Sequence, residues 1–153
     1  MGEGASGQLT GTFNVTRLAI PHLIRAGGGA IINMSSAAGR FGYPNRSPYS
    51  TSKWGLIGFT KTLSIELGEH GIRVNAILPG AVDGPRIQKV FEGRAQVSGQ
   101  TVEQVRQEAM ANQSIKALVD PRDIAALAVF LASDGGKSIS GQILPIDNDM
   151  QRP

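Results

Sequence analysis

Cysteine is absent from the 153-residue chain. That excludes disulfide scaffolds, thiolate metal sites and cysteine nucleophiles. Histidine occurs twice, at positions 22 and 70, too sparsely to build a histidine-rich metal site, so no metal is expected. Aromatic residues make up 5% of the chain, and no cluster of Lys and Arg interleaves with them. The net charge of +3 is therefore read as a scattered excess and not as a nucleic-acid footprint. No apolar run approaches the roughly 18–20 residues that a membrane span needs. Met1 to Gly7 has neither the basic nor the apolar region of a secretory signal. The expectation is a cytoplasmic protein with no nucleic-acid and no membrane partner.

What is present is a globular composition, 41% hydrophobic and 18% charged, punctuated by 20 glycines, about twice the ordinary share. From Leu9 to Arg25 the apolar spacing is helical, with Pro21 inside the run and Gly27–Gly29 as its stop. Ala30 to Met34 reads as a strand buried on both faces. Ser35 to Pro48 is a loop. A long helix runs from about Ser47 to Gly68, with Leu56, Phe59, Leu63 and Leu67 on one stripe and Trp54, Ile57 and Ile65 on another. Ile72 to Leu78 is the next strand, stopped by Pro79-Gly80. Residues 81–119 are more polar and predict two helices, near Pro85–Phe91 and Thr101–Ala111, the second opened by a capping-box spacing from Thr101 to Gln104. Asp120-Pro121 pairs an N-cap with proline at the first helical position, and that helix is expected to end at Gly135-Gly136. Gly141 to Ile146 is the last strand. Alternating buried strands and amphipathic helices predict an α/β fold with a parallel sheet, here of about three strands. No repeat or linker divides the chain, so 1–153 reads as a single domain, with residues 1–7 expected to be disordered.

Tyr49-Ser50-Thr51-Ser52-Lys53 places a phenol and an ammonium at i and i+4, one above the other on the helix face that continues into the Leu56 stripe. A tyrosine is a poor base at neutral pH, and an adjacent ammonium favours its phenolate. Such a pair can exchange a proton with an alcohol or carbonyl oxygen. Ser36 lies thirteen residues before Tyr49, just past the end of the first strand, where parallel sheets form their sites. Its hydroxyl could reach the same oxygen.

Five segments, in order, resemble the C-terminal part of a short-chain dehydrogenase/reductase of the classical type. They are Ile31 to Gly39, Tyr49 to Lys53, Gly71 to Asn75, Pro79 to Val82, and Ser140 to Asp147. The resemblance runs from about Leu9 to Asp147. It implies a partial Rossmann-like, doubly wound fold and an enzyme that interconverts a secondary alcohol and a ketone with NAD or NADP. It implies Tyr49 as the catalytic acid/base, Lys53 on the nicotinamide ribose, and Ser36 orienting the substrate oxygen. The backbone at Pro79, Gly80 and Val82 would approach the nicotinamide, and residues 84–115 would be the substrate-binding insert. The long helix and Leu9–Arg25 would form the interface of a homo-oligomer, a dimer or tetramer.

The chain departs from the family pattern in having no Gly-rich turn for the pyrophosphate and no residue that separates NAD from NADP. Gln8 stands where the family's helix asparagine is expected, Gly84 where a threonine is common, and Asp147-Asn148-Asp149 replaces a final D-G-G. A truncated chain would expose an apolar edge at the first strand and is expected to be marginal or oligomeric and to bind dinucleotide poorly. A different class of reading is a catalytically incompetent module that associates with full-length relatives. Arg46 and Arg86 flank the expected cleft, either as ordinary surface arginines or as contacts to an anionic substrate. His22 reads as a surface or interface residue, His70 as a partner of a helix end, and Trp54 as packing. Asn75 is expected to satisfy backbone groups beyond its strand, and Asp147 to Asp149 to form a solvated turn.

Overall fold

A computed structural model of the chain describes residues 3–151. The order is α1 (Glu3–Arg25), β1 (Gly29–Met34), α2 (Ser47–Glu66), β2 (Ile72–Pro79), α3 (Pro85–Ser98), α4 (Val102–Met110), α5 (Pro121–Ala132) and β3 (Ile143–Ile146), with short 3₁₀ turns after β1, α2 and α5. The three strands form one parallel sheet in the order β1-β2-β3. The fold is α/β, as the alternation predicts. Among the described residues, no helix is long and apolar enough to cross a membrane.

Strand alternation assigns the two faces of the sheet. Ile31 pairs with Val74, and Ile32 with Asn75. Val74 and Ile72 join Leu63 and Leu67 of α2 in a buried cluster, against which Ile20 and Leu23 of α1 and Ile31 also pack. Thus α1 and α2 cover one face. On the same face Asn33 Nδ2 donates to Thr60 Oγ1 at 2.9 Å. The residues between point the other way. Arg73 sends its guanidinium to the end of α5, donating to the carbonyls of Leu131 and Gly136, and also of Ala132 and Ser133. Of these, Leu131 and Ala132 belong to the last turn of α5, whose carbonyls lack intrahelical partners. Asn75 behaves as expected, donating to Ile139 O at 2.8 Å and accepting from Gln142 N at 2.9 Å.

Central β2 is buried along most of its length. β1 is not buried on both faces as expected. It is half-buried, because it has one strand neighbour and stands at an edge. Met34 at its end is 44% exposed. α1 begins at Glu3, inside the segment 1–7 for which disorder is expected. Residues 1 and 2 lie outside the described residues. Pro21 sits inside α1 without ending it.

The insert packs around its own small core, Phe91, Ala95 and Val105 with Ile87, Ala109 and Leu118. α3 is longer than its predicted end at Phe91 and stops at Gly99, whose φ of 72° is the left-handed value that glycine takes without strain. The Thr101–Gln104 capping box forms as read. Asp120 caps α5 through Arg122 N. α5 ends at Ala132, earlier than expected, because Ser133 turns extended and opens the 3₁₀ turn.

Candidate active site

β1 delivers the chain to the C-terminal edge of the sheet, where Ser35 N still donates to Ile77 O at 2.9 Å. The next residues turn sharply against α2. Ser35 Oγ donates to Lys53 O at 2.9 Å, and this contact leaves no room for a side chain at Gly39. A Cβ there would lie 2.6 Å from Ser35 Oγ and 3.0 Å from Lys53 O. The backbone of the turn is thus pressed onto the helix that carries Tyr49 and Lys53.

Lys53 is buried at 9% exposure. Its Nζ donates to Met34 O at 3.2 Å, the last carbonyl of β1, and lies 5.6 Å from the centroid of the Tyr49 ring. The phenol and ammonium therefore meet as their i, i+4 spacing requires. Burial lowers the pKa of Lys53 below its ordinary value, and the charge of Arg86 lowers it further. Tyr49 is half-buried, and no hydrogen bond of its phenol occurs among the described residues. Ser36 follows β1 by two residues and caps the 3₁₀ turn, its Oγ accepting from Ala38 N at 3.2 Å. No hydrogen bond joins Ser36 to Tyr49 or Lys53 among the described residues. What unites the three is the strand end, which Lys53 bonds and from which Ser36 emerges.

The second wall comes from the ends of β2 and β3. Pro79 closes β2 opposite Ile146, and Gly80 N donates to Ile146 O at 3.1 Å. A Cβ at Gly80 would stand 2.9 Å from both Cα and Cβ of Asp147, so only glycine allows the two strand ends to approach this closely. Val82 makes a parallel bridge with Val119, tying this wall to the start of α5.

Sequence reading missed two features. Asp147 is not in a solvated turn: it is 5% exposed, its Oδ2 has no hydrogen bond, and the nearest cation is Arg40 Nη1 at 3.5 Å. Tyr43 is half-buried, and its pKa is raised first by burial and then by Tyr49, against opposing effects of Arg94 and Arg46. The Arg40–Asp147 pair does not follow from local spacing, since it joins segments that only the fold brings together. Trp54, read as packing, is 51% exposed. A cavity of about 630 Å³ lies against α3 and α4 with Arg46 at its rim, and none of Ser36, Tyr49 or Lys53 lines it.

The residues present fit one end of a nicotinamide dinucleotide. The buried Lys53 ammonium stands at the end of β1 beside the Tyr49 ring, where it can serve hydroxyls. The chain contains no Gly-rich turn of the kind that holds a pyrophosphate.

A family model described as enoyl-(acyl carrier protein) reductase matches residues 5–150. The chain is 35% identical over 142 residues to a 3-oxoacyl-(acyl-carrier-protein) reductase of Thermotoga maritima, covering 93% of this chain and 53% of that protein. It is 39% identical over 140 residues to a D-beta-hydroxybutyrate dehydrogenase of Cupriavidus necator, covering 91% and 54%. Among solved structures, sorbitol-6-phosphate 2-dehydrogenase from Erwinia amylovora superposes with a TM-score of 0.88 at 30% identity, over 94% of this chain and 57% of that one. A variant of actinorhodin polyketide ketoreductase with NADPH gives 0.86 at 32% identity, over 94% and 56%. The chain spans about half the length of the curated relatives it matches.

Proposed function

The chain belongs to the short-chain dehydrogenase/reductase family, and on that premise we propose that the protein interconverts a secondary alcohol and a ketone with NAD or NADP. The observation that carries this reading is the Tyr49–Lys53 pair, 5.6 Å apart from ammonium to ring centroid and anchored to the end of β1 through Met34 O.

Tyr49 gives its phenolic proton to the substrate oxygen during reduction and takes it back during oxidation. Lys53 holds its ammonium beside the Tyr49 ring and offers it to the nicotinamide ribose. Ser36 turns its hydroxyl from Ala38 N to the substrate oxygen and fixes the reacting carbon. Pro79, Gly80 and Val82 present backbone to the nicotinamide. When bound, NAD or NADP supplies or accepts the hydride at the substrate carbon. Residues 84–115 form the substrate side.

A homo-oligomer belongs to the same proposal. On α1, Val15 and Leu18 are 69% and 65% exposed, and on α2 Trp54 and Ile65 are 51% and 82% exposed. Each pair lies on one helical face, and a second copy is the occupant proposed for them. These exposed faces also favour the second reading, a chain that assembles with relatives and does not itself turn over.

The test is a nicotinamide absorbance assay with a panel of ketones, on the chain joined to the part of the Thermotoga maritima relative that it does not span. Turnover dependent on both cofactor and ketone is expected. Stable assembly with bound cofactor but no turnover would reject the first reading in favour of the second.

A further inference from the structure

α3 carries an unusual face. The spacings of Arg86, Lys89, Val90, Gly93, Arg94 and Val97 place all six within one arc of the helix, while Phe91 and Ala95 turn inward to the insert core. Arg46, immediately before α2, joins Lys89 and Arg94 on the rim of the 630 Å³ cavity, whose wall also includes Val90, Val105 and Ala109. A volume of this size lies in the range of small-molecule sites. Arg86 and Lys89 line the adjoining hollow of about 450 Å³.

None of these four cations is neutralised. Among the described residues the ion pairs are Arg40–Asp147, His70–Glu69 and Arg122–Asp120, and no hydrogen bond is made by the side chain of Arg46, Arg86, Lys89 or Arg94. The one acid lining the large cavity, Glu108, is engaged by Gln100 Nε2. Glu92, the one acid of α3, lies outside the arc that carries the cations. Four like charges gathered around two adjoining hollows that share Lys89 and Val90 repel each other, and a bound anion would relieve that repulsion. The gathering also reaches the chemistry. Arg86 acts electrostatically on Lys53, while Arg46 and Arg94 act on Tyr43, which in turn feels Tyr49.

We propose that Arg46, Arg86, Lys89 and Arg94 form a receptor for an anionic group on the substrate, so that the ketone or alcohol is one that carries a carboxylate or phosphate beside a short apolar segment. The inference rests on the oxidoreductase reading for the word substrate, but its site is defined by charge and cavity alone. The apolar segment lies on Val90, Val105 and Ala109, and the anion sits at the cationic rim.

The test is binding to the 153-residue chain, followed by backbone and arginine side-chain NMR. Acetoacetate serves as the carboxylate probe, dihydroxyacetone phosphate as the phosphate probe, and 2-pentanone as the uncharged control. Expected are shifts centred on residues 86–94 and Arg46 with one or both anions, weakened by added salt and absent with 2-pentanone. Whichever anion binds more tightly identifies the group. The R46Q/K89Q/R94Q variant, checked for an unchanged fold by its remaining shifts, should lose about tenfold or more in affinity, as charge-assisted bonds are removed. Equal binding of 2-pentanone, undiminished binding by the variant, or shifts elsewhere on the molecule would overturn the proposal. The readout is binding and needs no turnover. Failure here would thus leave the oxidoreductase reading standing, and failure of turnover would leave this site standing.

Discussion

In α2 and β2 the polar groups that frame the proposed chemistry, the Tyr49 phenol excepted, are buried and hydrogen-bonded, whereas the cations of α3 stand in solvent without hydrogen-bond partners among the described residues. Lys53 bonds Met34 O, Asn75 bonds both Ile139 and Gln142, and Thr60 is fully buried between Leu56 O and Asn33. Arg86, Lys89 and Arg94 are exposed. The difference follows from what each region must do. The frame around a group that moves a proton must be rigid, and burial with satisfied hydrogen bonds makes it so. A surface that receives a charged ligand must keep its own charges free, and in water a free surface charge costs little.

The contrast extends to stability, and it can be broken from either side. The insert depends on few side chains, of which Phe91 is the largest and 1% exposed. Phe91→Ala should cost about 3–5 kcal/mol and strip hydrogen-exchange protection from α3 and α4 while β2 stays protected. Simultaneous loss of protection in both regions would show that they are one cooperative unit. On the sheet side, Arg73→Met removes the donors that hold the end of α5. A loss of about 1.5–3 kcal/mol, as for hydrogen bonds to a charged group, is expected in denaturant unfolding, with the α5 amides exchanging fastest. Unchanged stability would mean that water replaces the guanidinium at those carbonyls.

The smallest expected effect sharpens the comparison by pH. The folded pKa of Lys53 is lowered, so between that value and the ordinary 10.5 the unfolded chain binds more protons than the folded one. Stability from this group therefore rises with pH across that window and is lowest below it. Lys53→Met should abolish that slope and leave the protein more stable at neutral pH, at the expense of function. The check is the denaturation midpoint as a function of pH, and identical profiles for the two proteins would contradict the burial of the ammonium.

Features governed by local spacing were legible before any coordinates. The Tyr49–Lys53 repeat, the Thr101–Gln104 capping box and the Asp120-Pro121 start each lie within one helical turn, and each is found as read. Asn75 was legible because a polar side chain inside an apolar strand demands partners. The missed features are long-range. Arg40 meets Asp147 only because two strand ends converge, and Arg73 finds α5 only because β2 lies at the sheet centre beneath it. The length of α3 was underestimated because its apolar stripe fades after Phe91, while its stop signal, Gly99, lies two turns further on. The candidate catalytic residues were legible as residue types at the right spacing. The bond from Lys53 to Met34 O was not, since it joins a helix to a strand end that the sequence leaves nineteen residues away.

The most direct measurement is steady-state turnover of Tyr49→Phe in the joined protein, alongside NADH binding followed by fluorescence. Loss of the phenolic proton should lower kcat by about 10²-fold or more and leave NADH affinity unchanged. Wild-type kcat in the variant would contradict the account, because the proton would then be moving through some group other than Tyr49.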